Sequence, residues 1–475
     1  MQMIIDGKFV GSEKTFDVVN PYNKKVVDKV PIASEKQIDE ALRLSFEEKN
    51  DLKGDERATI LNEAAKTIKK REDEIAKLIT SESGLCIKQT HHEVERTLNV
   101  LEESAKLASS IDKQDFTKNF LRGDQKGKTI LKVISEPLDL VVGITPFNHP
   151  LNQVTHKVCP AIAAGAKMVL KPSEKTPLTA LLFGKILLDS GLPKNMVNII
   201  TGYPPKYIVD RMISNPLVEM VSFTGGIEVG KYISRKMNES GNELKKYVAE
   251  LGGNSALTVL EDADLDLAAK IAMGSFDNSG QRCTAIKRIL VDREIVEDFI
   301  NIFISNAENL RYGNPMDPKN DMGTVINEEA AILIQKRVEM AIKEGAKLLL
   351  GNERDGALYS PTILDKVNPK SELVVKETFG PVGPIIRIND LKDAIRIIKS
   401  SRYRLAGAVI TKGKKKAEEL SNSIKVGQFN WNGPPGYRTE HAPFGGFPDS
   451  GNYEKEGVIL AAEGMRRLRT FYTHI

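Results

Sequence analysis

An α/β chain built on a doubly wound parallel sheet is predicted by three features of the sequence. Between residues 139 and 250, short runs rich in valine and isoleucine (LDLVVGI, AKMVLK, VNIIT, VEMVSF and KKYVAEL) alternate with longer helix-like stretches. Parallel neighbours need long crossovers, and segments such as PLTALLFGKILLDSG supply both helix length and a stop at Gly191. At 475 residues, 41% hydrophobic and 28% charged, the chain has material for about three packed domains at roughly 150 residues each.

The remaining elements follow in chain order. The N-terminal MQMIIDGKFV meets Asp6 and Gly7 before a signal-type apolar core can form, and no apolar run approaches the ~20 residues of a membrane span. No export or anchor is expected, and the chain reads as cytoplasmic. GKTILKVIS (residues 127–135) shows partial strand alternation, as does RRLRTFYTHI (residues 466–475) at the far end, so the two are expected to pair as a small sheet, within or between subunits. After the five-strand region, a second α/β unit is expected, with a helix near DLDLAAKIAMGSF, strands at KRILV and AGAVIT, and helices around 294–309 and 391–400.

Charge excludes some functions. The 68 basic and 64 acidic side chains nearly cancel to +4, which argues against a nucleic-acid binder, and Lys414 to Lys416 reads as a solvated helix start. Small anionic substrates remain compatible. Cys86, Cys159 and Cys283 have no CxxC spacing, so neither a disulfide framework nor a metal site is expected.

Several motifs could carry chemistry. GGIEVGK, Gly225 to Lys231, follows a strand and opens a helix, nearly matching a P-loop, but Tyr232 stands where that loop needs a magnesium-binding hydroxyl. The same geometry suits a dinucleotide pyrophosphate at a helix N-terminus. Cys283, in FDNSGQRCTA, has a polar setting in which Gly280 breaks the preceding helix and Arg282 favours thiolate, whereas Cys159 and Cys86 read as inert core. No histidine adjoins Cys283 and no HExxH occurs, so a carboxylate base is the alternative: Glu250 ends the last strand of the first sheet in YVAELGGNSA, where ligands meet doubly wound sheets.

PFNHP, KPSE, FTGG, ELGGN, GQRC and KETFGP occur in this order and spacing, and together they make the chain resemble the aldehyde dehydrogenases over essentially its full length. The resemblance implies an NAD-binding domain from residues 1–118 and 140–252, a catalytic domain over 253–448, and a β oligomerisation element from 119–139 and 449–475. It implies that Cys283 is the nucleophile, that the Asn148 side-chain amide and the Cys283 backbone N–H hold the oxyanion, and that Glu250 activates the water that hydrolyses a thioester. The same resemblance places Lys171 and Glu174 on the adenosine ribose, with Glu377 and Phe379 at the nicotinamide end. Ile144, Thr145, Pro146, Phe147, Gly202, Phe223, Gly225, Gly226, Val229 and Leu251 complete the implied cofactor site. A glutamate at 174 repels a 2′-phosphate, which favours NAD, with NADP possible. Gly226 departs from the usual serine after FTG, and Asn254 from the usual lysine after ELGG. A homodimer or homotetramer is implied.

The substrate question turns on arginines, because a phosphate or phosphonate calls for charge-assisted donors. Arg282 precedes the nucleophile, Arg438 lies in GPPGYRTEHAPFGG, and Arg96 lies on the helix HHEVERTLNVL, offset from the apolar stripe of Val94, Leu98 and Leu101. An exposed ion pair with Glu93 is the plainer reading of Arg96. Arginines at these three places resemble phosphonoacetaldehyde dehydrogenases and non-phosphorylating glyceraldehyde-3-phosphate dehydrogenases. His149, after the oxyanion asparagine, resembles the first branch and either reaches the substrate anion or packs at the helix start. Phosphonoacetaldehyde is therefore the expected substrate, with glyceraldehyde 3-phosphate and lactaldehyde or another short aldehyde as alternatives.

Overall fold

The computed structural model describes residues 1–49, 51–113, 129–239 and 244–474; the stretch 114–128, which holds the start of the expected oligomerisation element, lies outside them. The five valine-rich runs become the parallel strands Val141–Ile144, Met168–Lys171, Val197–Ile199, Met220–Thr224 and Lys246–Glu250. Val141–Ile144 is central, with Met168–Lys171 on one side and Met220–Thr224 on the other. Chain order therefore reverses at this strand, and its pairing of Ile144 with Phe223 sets two strand ends side by side at the switch point.

The short N-terminal segment adds two strands that the sequence reading did not assign. Met3–Ile5 and Lys8–Val10 form a hairpin on the sheet edge, turning through Asp6 (φ 55°) and Gly7 (φ 67°). Alternate side chains serve opposite faces. Val141 and Met168 pack with the helices Gly54–Lys70, Ile87–Ile111, Asn152–Ala164 and Leu178–Asp189, while Val142 and Val169 pack with Glu35–Glu47, Pro205–Ser214 and Ile227–Glu239.

A second seven-stranded sheet runs in the order Lys347–Leu350, Thr362–Asp365, Val382–Ile388, Ile286–Asp292, Ser255–Val259, Ala406–Ile410 and Gln428–Trp431, parallel except at its first edge. The expected helix in DLDLAAKIAMGSF ends at Ala272, eight residues before Gly280. Gly280 therefore does not break it; two short 3₁₀ turns intervene. Lys414 does begin a helix, which runs to Ile424. Thr129–Pro137 and Arg466–His474, far apart in sequence, pair along their whole length as an antiparallel ribbon. No described helix is long and apolar enough to cross a membrane.

Candidate active site

Cys283 lies on a loop between those 3₁₀ turns and the strand Ile286–Asp292. Asn278 and Ser279 both adopt left-handed backbone, at φ 53° and 54°, followed by Gly280 at 70°. Two such non-glycine residues cost about 1–3 kcal/mol each, strain typical of a loop held for function. A Cβ at Gly280 would lie 2.0 Å from the Gly380 carbonyl oxygen, so glycine is required where GQRC meets KETFGP. Gly253 is constrained likewise, since a Cβ there would stand 2.2 Å from the Cys283 carbonyl oxygen. The ELGG turn thus packs directly on the nucleophile loop.

A cleft of about 430 Å³ opens at the switch point and ends at Cys283. Its walls carry Ile144, Thr145, Pro146, Phe147, Lys171, Glu174, Phe223, Gly225, Gly226, Val229, Leu251, Glu377 and Phe379, as the sequence reading placed them. Gly202 is the exception: it lies off the wall, where a Cβ would strike Ile208, because its strand-end turn packs inward. Ser173, Lys175, Val209 and Thr224 line the cleft without having been identified. Its chemistry suits a dinucleotide. The helix Ile227–Glu239 begins just behind Gly225 and Gly226, the Thr145 and Thr224 hydroxyls are buried without partners, and Phe147 meets Phe379 edge-on at 5.9 Å. Lys171, 3% exposed, lies 3.1 Å from Glu174 Oε2.

On the other side of Cys283 a tight pocket of about 20 Å³ is lined by Asn148, His149, Arg96, Arg282, Arg438, Gln153 and Phe444. It widens outward into a funnel of about 530 Å³ floored by Glu440 and the loop from Pro434 to His441. The three arginines, which sequence alone could not bring together, converge here. Arg96 does not pair with Glu93. Its Nε donates to Glu440 Oε1 at 2.8 Å, while Glu93 is buried and accepts the backbone N–H groups of Leu151 at 2.7 Å and Asn152 at 3.0 Å, capping the helix Asn152–Ala164. His149 sits beside that cap, Nδ1 at 3.6 Å from Glu93 Oε2 and 3.1 Å from Asn278 Nδ2. Arg438 lies 3.9 Å over the Phe444 ring, and its Nη1 is buried with no hydrogen-bond partner.

Electrostatics separates the groups. Burial pushes the Cys283 thiol up, opposed by the positive charges of Lys287, Arg438 and Arg282. Arg282 therefore acts in the expected direction, but Lys287, which the sequence reading passed over, is the strongest of the three. Its signal was present: Lys287 and Arg288 sit near the start of a fully buried central strand, ahead of the apolar run Ile289 to Val291. Burial also pushes Cys159 and Cys86 up, and both thiols sit in the core.

Glu250 does end its strand and is buried, at 2% exposed. Its carboxyl is directed at Gly445, whose added Cβ would stand 2.3 Å from Oε1, and it lines neither cavity that meets Cys283. Burial, with the nearby Glu456 charge, raises its pKa well above the ordinary carboxylate value.

The sequence profile of the aldehyde dehydrogenase family matches residues 9–470. A lactaldehyde dehydrogenase from Methanococcus maripaludis is 36% identical over 484 residues, covering 99% of this chain and 100% of that one. A 3-sulfolactaldehyde dehydrogenase from Priestia aryabhattai is 34% identical, with 98% and 96% covered. The crystal structure of the NADP-dependent glyceraldehyde-3-phosphate dehydrogenase from Bacillus halodurans, complexed with NADP, superimposes with a TM-score of 0.94 at 31% identity, covering 100% of this chain and 99% of that one. Agreement of sequence and fold over such lengths means that this chain belongs to the aldehyde dehydrogenase family and is an NAD(P)-dependent oxidoreductase acting on aldehydes.

Proposed function

We propose that the chain oxidises a short aldehyde with a strongly acidic tail, phosphonoacetaldehyde before others, to its carboxylate, with NAD preferred over NADP. The observation that carries this reading is the single pocket in which Arg96, Arg282 and Arg438 face Asn148 and Cys283. The three guanidinium groups are partly buried and repel one another, only Arg96 being closely paired, with Glu440, and the buried, unpartnered Arg438 Nη1 adds a cost unless a substrate anion meets it.

Cys283 Sγ adds to the aldehyde carbon, and the oxyanion so formed is held by the Asn148 amide and the Cys283 backbone N–H. The cofactor, when bound between Lys171 and Glu377, supplies the hydride acceptor. Loss of hydride leaves a thioester on Cys283. Glu250 then takes a proton from water as the water oxygen attacks the thioester carbon; the C–S bond breaks, releasing the carboxylic acid and the Cys283 thiolate, and Glu250 passes its proton on to solvent. Burial raises the Glu250 pKa, so its ionised carboxylate is a stronger base than an ordinary one. For this step its carboxyl turns from Gly445 toward the thioester. NAD is favoured because Glu174 places a carboxylate in the cleft, Lys171 is already paired with it, and Lys175 lies 5.4 Å over the Phe147 ring.

A second reading keeps the acidic tail but places it on a hydroxyaldehyde, as the name of the 3-sulfolactaldehyde relative suggests. Either way the chain acts as a homodimer or homotetramer, and its three free thiols fit the reducing cytoplasm. The test compares Arg282→Ala and Arg438→Ala on phosphonoacetaldehyde and on propionaldehyde. Each loses about 10- to 100-fold in kcat/KM on the anion, the worth of a charge-assisted hydrogen bond, and much less on the neutral aldehyde. Equal losses on both would remove the anion pocket.

A further inference from the structure

Lys287 stands four residues beyond the nucleophile, on the strand Ile286–Asp292, with its side chain 3% exposed. Its ammonium donates to Glu377 Oε1 and, at 3.1 Å, to the Gly253 carbonyl oxygen, and lies 4.7 Å from the centre of the Phe379 ring. The Gly253 N–H donates to the same Glu377 oxygen at 3.1 Å. The Glu377 backbone is pinned as well: its N–H donates to the Tyr403 hydroxyl oxygen at 3.1 Å and its carbonyl accepts from Arg337 Nη1 at 2.6 Å. One oxygen of Glu377 is thus committed to Lys287 and the ELGG turn. Oε2 is left beside Gly252, on the cleft wall that both residues share with Phe379 and Cys283.

Stability alone gives little reason for this arrangement, since a buried ion pair can often be replaced by apolar groups of equal volume at no loss. What the lysine does is tie three separate segments together at the point where cofactor and nucleophile meet. We infer that Lys287 is a positioning residue for the redox step, locking Glu377 and Phe379 against the ELGG turn so that the nicotinamide end of the cofactor is held in register with Cys283. The inference rests on the cleft being the cofactor site and is independent of which aldehyde is oxidised. A second consequence follows from the same placement: the Lys287 charge favours the Cys283 thiolate, opposed by the Glu377 carboxylate that it holds.

The test needs no aldehyde. Binding of NADH, followed by its fluorescence, is measured for wild type, Lys287→Met, Glu377→Gln and the double variant, each checked for folding by thermal unfolding. Lys287→Met weakens binding about 10-fold or more, the worth of a hydrogen bond to a charged group, whereas in the Glu377→Gln background the same substitution adds less than about twofold. In the absence of cofactor, the midpoint of the pH profile for alkylation of Cys283 by iodoacetamide moves upward in Lys287→Met, and Lys287→Arg, which keeps the charge, returns it toward wild type. Binding within about twofold of wild type, or losses that simply add in the double variant, would overturn the inference. If Lys287→Met does not fold, Lys287→Gln carries the same comparison. Failure of both to fold would make the residue structural and overturn it equally.

Discussion

Glu250 and Glu440 are both nearly withdrawn from water, at 2% and 6% exposed, yet their carboxyls respond in opposite directions. Burial lifts Glu250 well above the ordinary range. Burial also acts to lift Glu440, but His156, 2.8 Å from Oε2, and the charges of Arg96 and Arg438 outweigh it and bring the pKa down to about 2. By linkage, Glu250 favours the fold when protonated. Its contribution is complete below about pH 4.5 and is lost as pH rises toward its folded value. Glu440 contributes above about pH 4.5 and loses that contribution as pH falls toward 2. Urea midpoints should therefore show Glu250→Gln gaining on wild type as pH rises above about 4.5. Glu440→Gln should lose on the order of 2–3 kcal/mol at pH 7, a deficit that shrinks in acid. In catalysis the same Glu250→Gln change should leave roughly one equivalent of reduced cofactor per active site and little turnover. These residues also mark how far sequence reading reaches. The placing of Cys283 and Asn148 on one pocket agrees with their motifs, whereas Glu250, read from the same kind of signal, lines neither cavity that meets Cys283. Glu440 was not legible, because its partners Arg96 and His156 lie hundreds of residues away in sequence, and the helical spacing that suggested a Glu93–Arg96 pair says nothing about partners on other elements.

At the scale of elements, two acidic side chains from the N-terminal helices fasten the helices that follow the ligand-facing loops. Glu93 caps Asn152–Ala164, just after Asn148 and His149, and Glu82 receives the Leu178 and Thr179 N–H groups of Leu178–Asp189, just after the loop bearing Glu174. Each carboxyl meets otherwise unpaired N–H groups at the start of a helix, although at Glu82 burial outweighs these bonds and lifts the pKa to about 7. Glu93→Ala should cost about 1–3 kcal/mol in unfolding free energy and raise the KM for aldehyde. Glu82→Ala should cost a similar amount but shift the KM for NAD. Steady-state kinetics with each substrate varied separates the two. The parallel strands were readable because strands buried on both faces must be nearly all valine, isoleucine and leucine. The N-terminal hairpin carried a readable signal too, an Asp-Gly pair directly after the apolar run Met3 to Ile5, whereas the long-range caps had none.

For the whole molecule, the ribbon of Thr129–Pro137 and Arg466–His474 stands out by what it leaves uncovered. Leu468 and Tyr472, which share one face of their strand, are each 55% exposed, and Phe471 on the other face is 53% exposed. Such exposed apolar side chains on an edge ribbon are what a partner subunit would cover, in keeping with the proposed homo-oligomer. Light scattering after size-exclusion chromatography should give a dimer or tetramer for the wild type and a smaller species for Leu468→Glu combined with Tyr472→Glu; a wild-type monomer would refute the proposal. That both segments form strands was readable from their alternation, whereas their pairing within one chain was left open and is shown only by the fold. The convergence of three arginines on one pocket was not readable, because Arg96, Arg282 and Arg438 reach it from a helix, a strained loop and a turn-rich segment that only the folded chain brings together.

The proposal that this convergence selects acidic aldehydes is tested most directly by kcat/KM for phosphonoacetaldehyde, 3-sulfolactaldehyde, glyceraldehyde 3-phosphate and lactaldehyde in parallel, followed by the appearance of reduced cofactor with NAD. The expected result is that the anionic aldehydes, phosphonoacetaldehyde foremost, exceed lactaldehyde by about 100-fold or more, the worth of two charge-assisted contacts. Lactaldehyde oxidised as well as any of them would contradict it and leave the three arginines to structure alone.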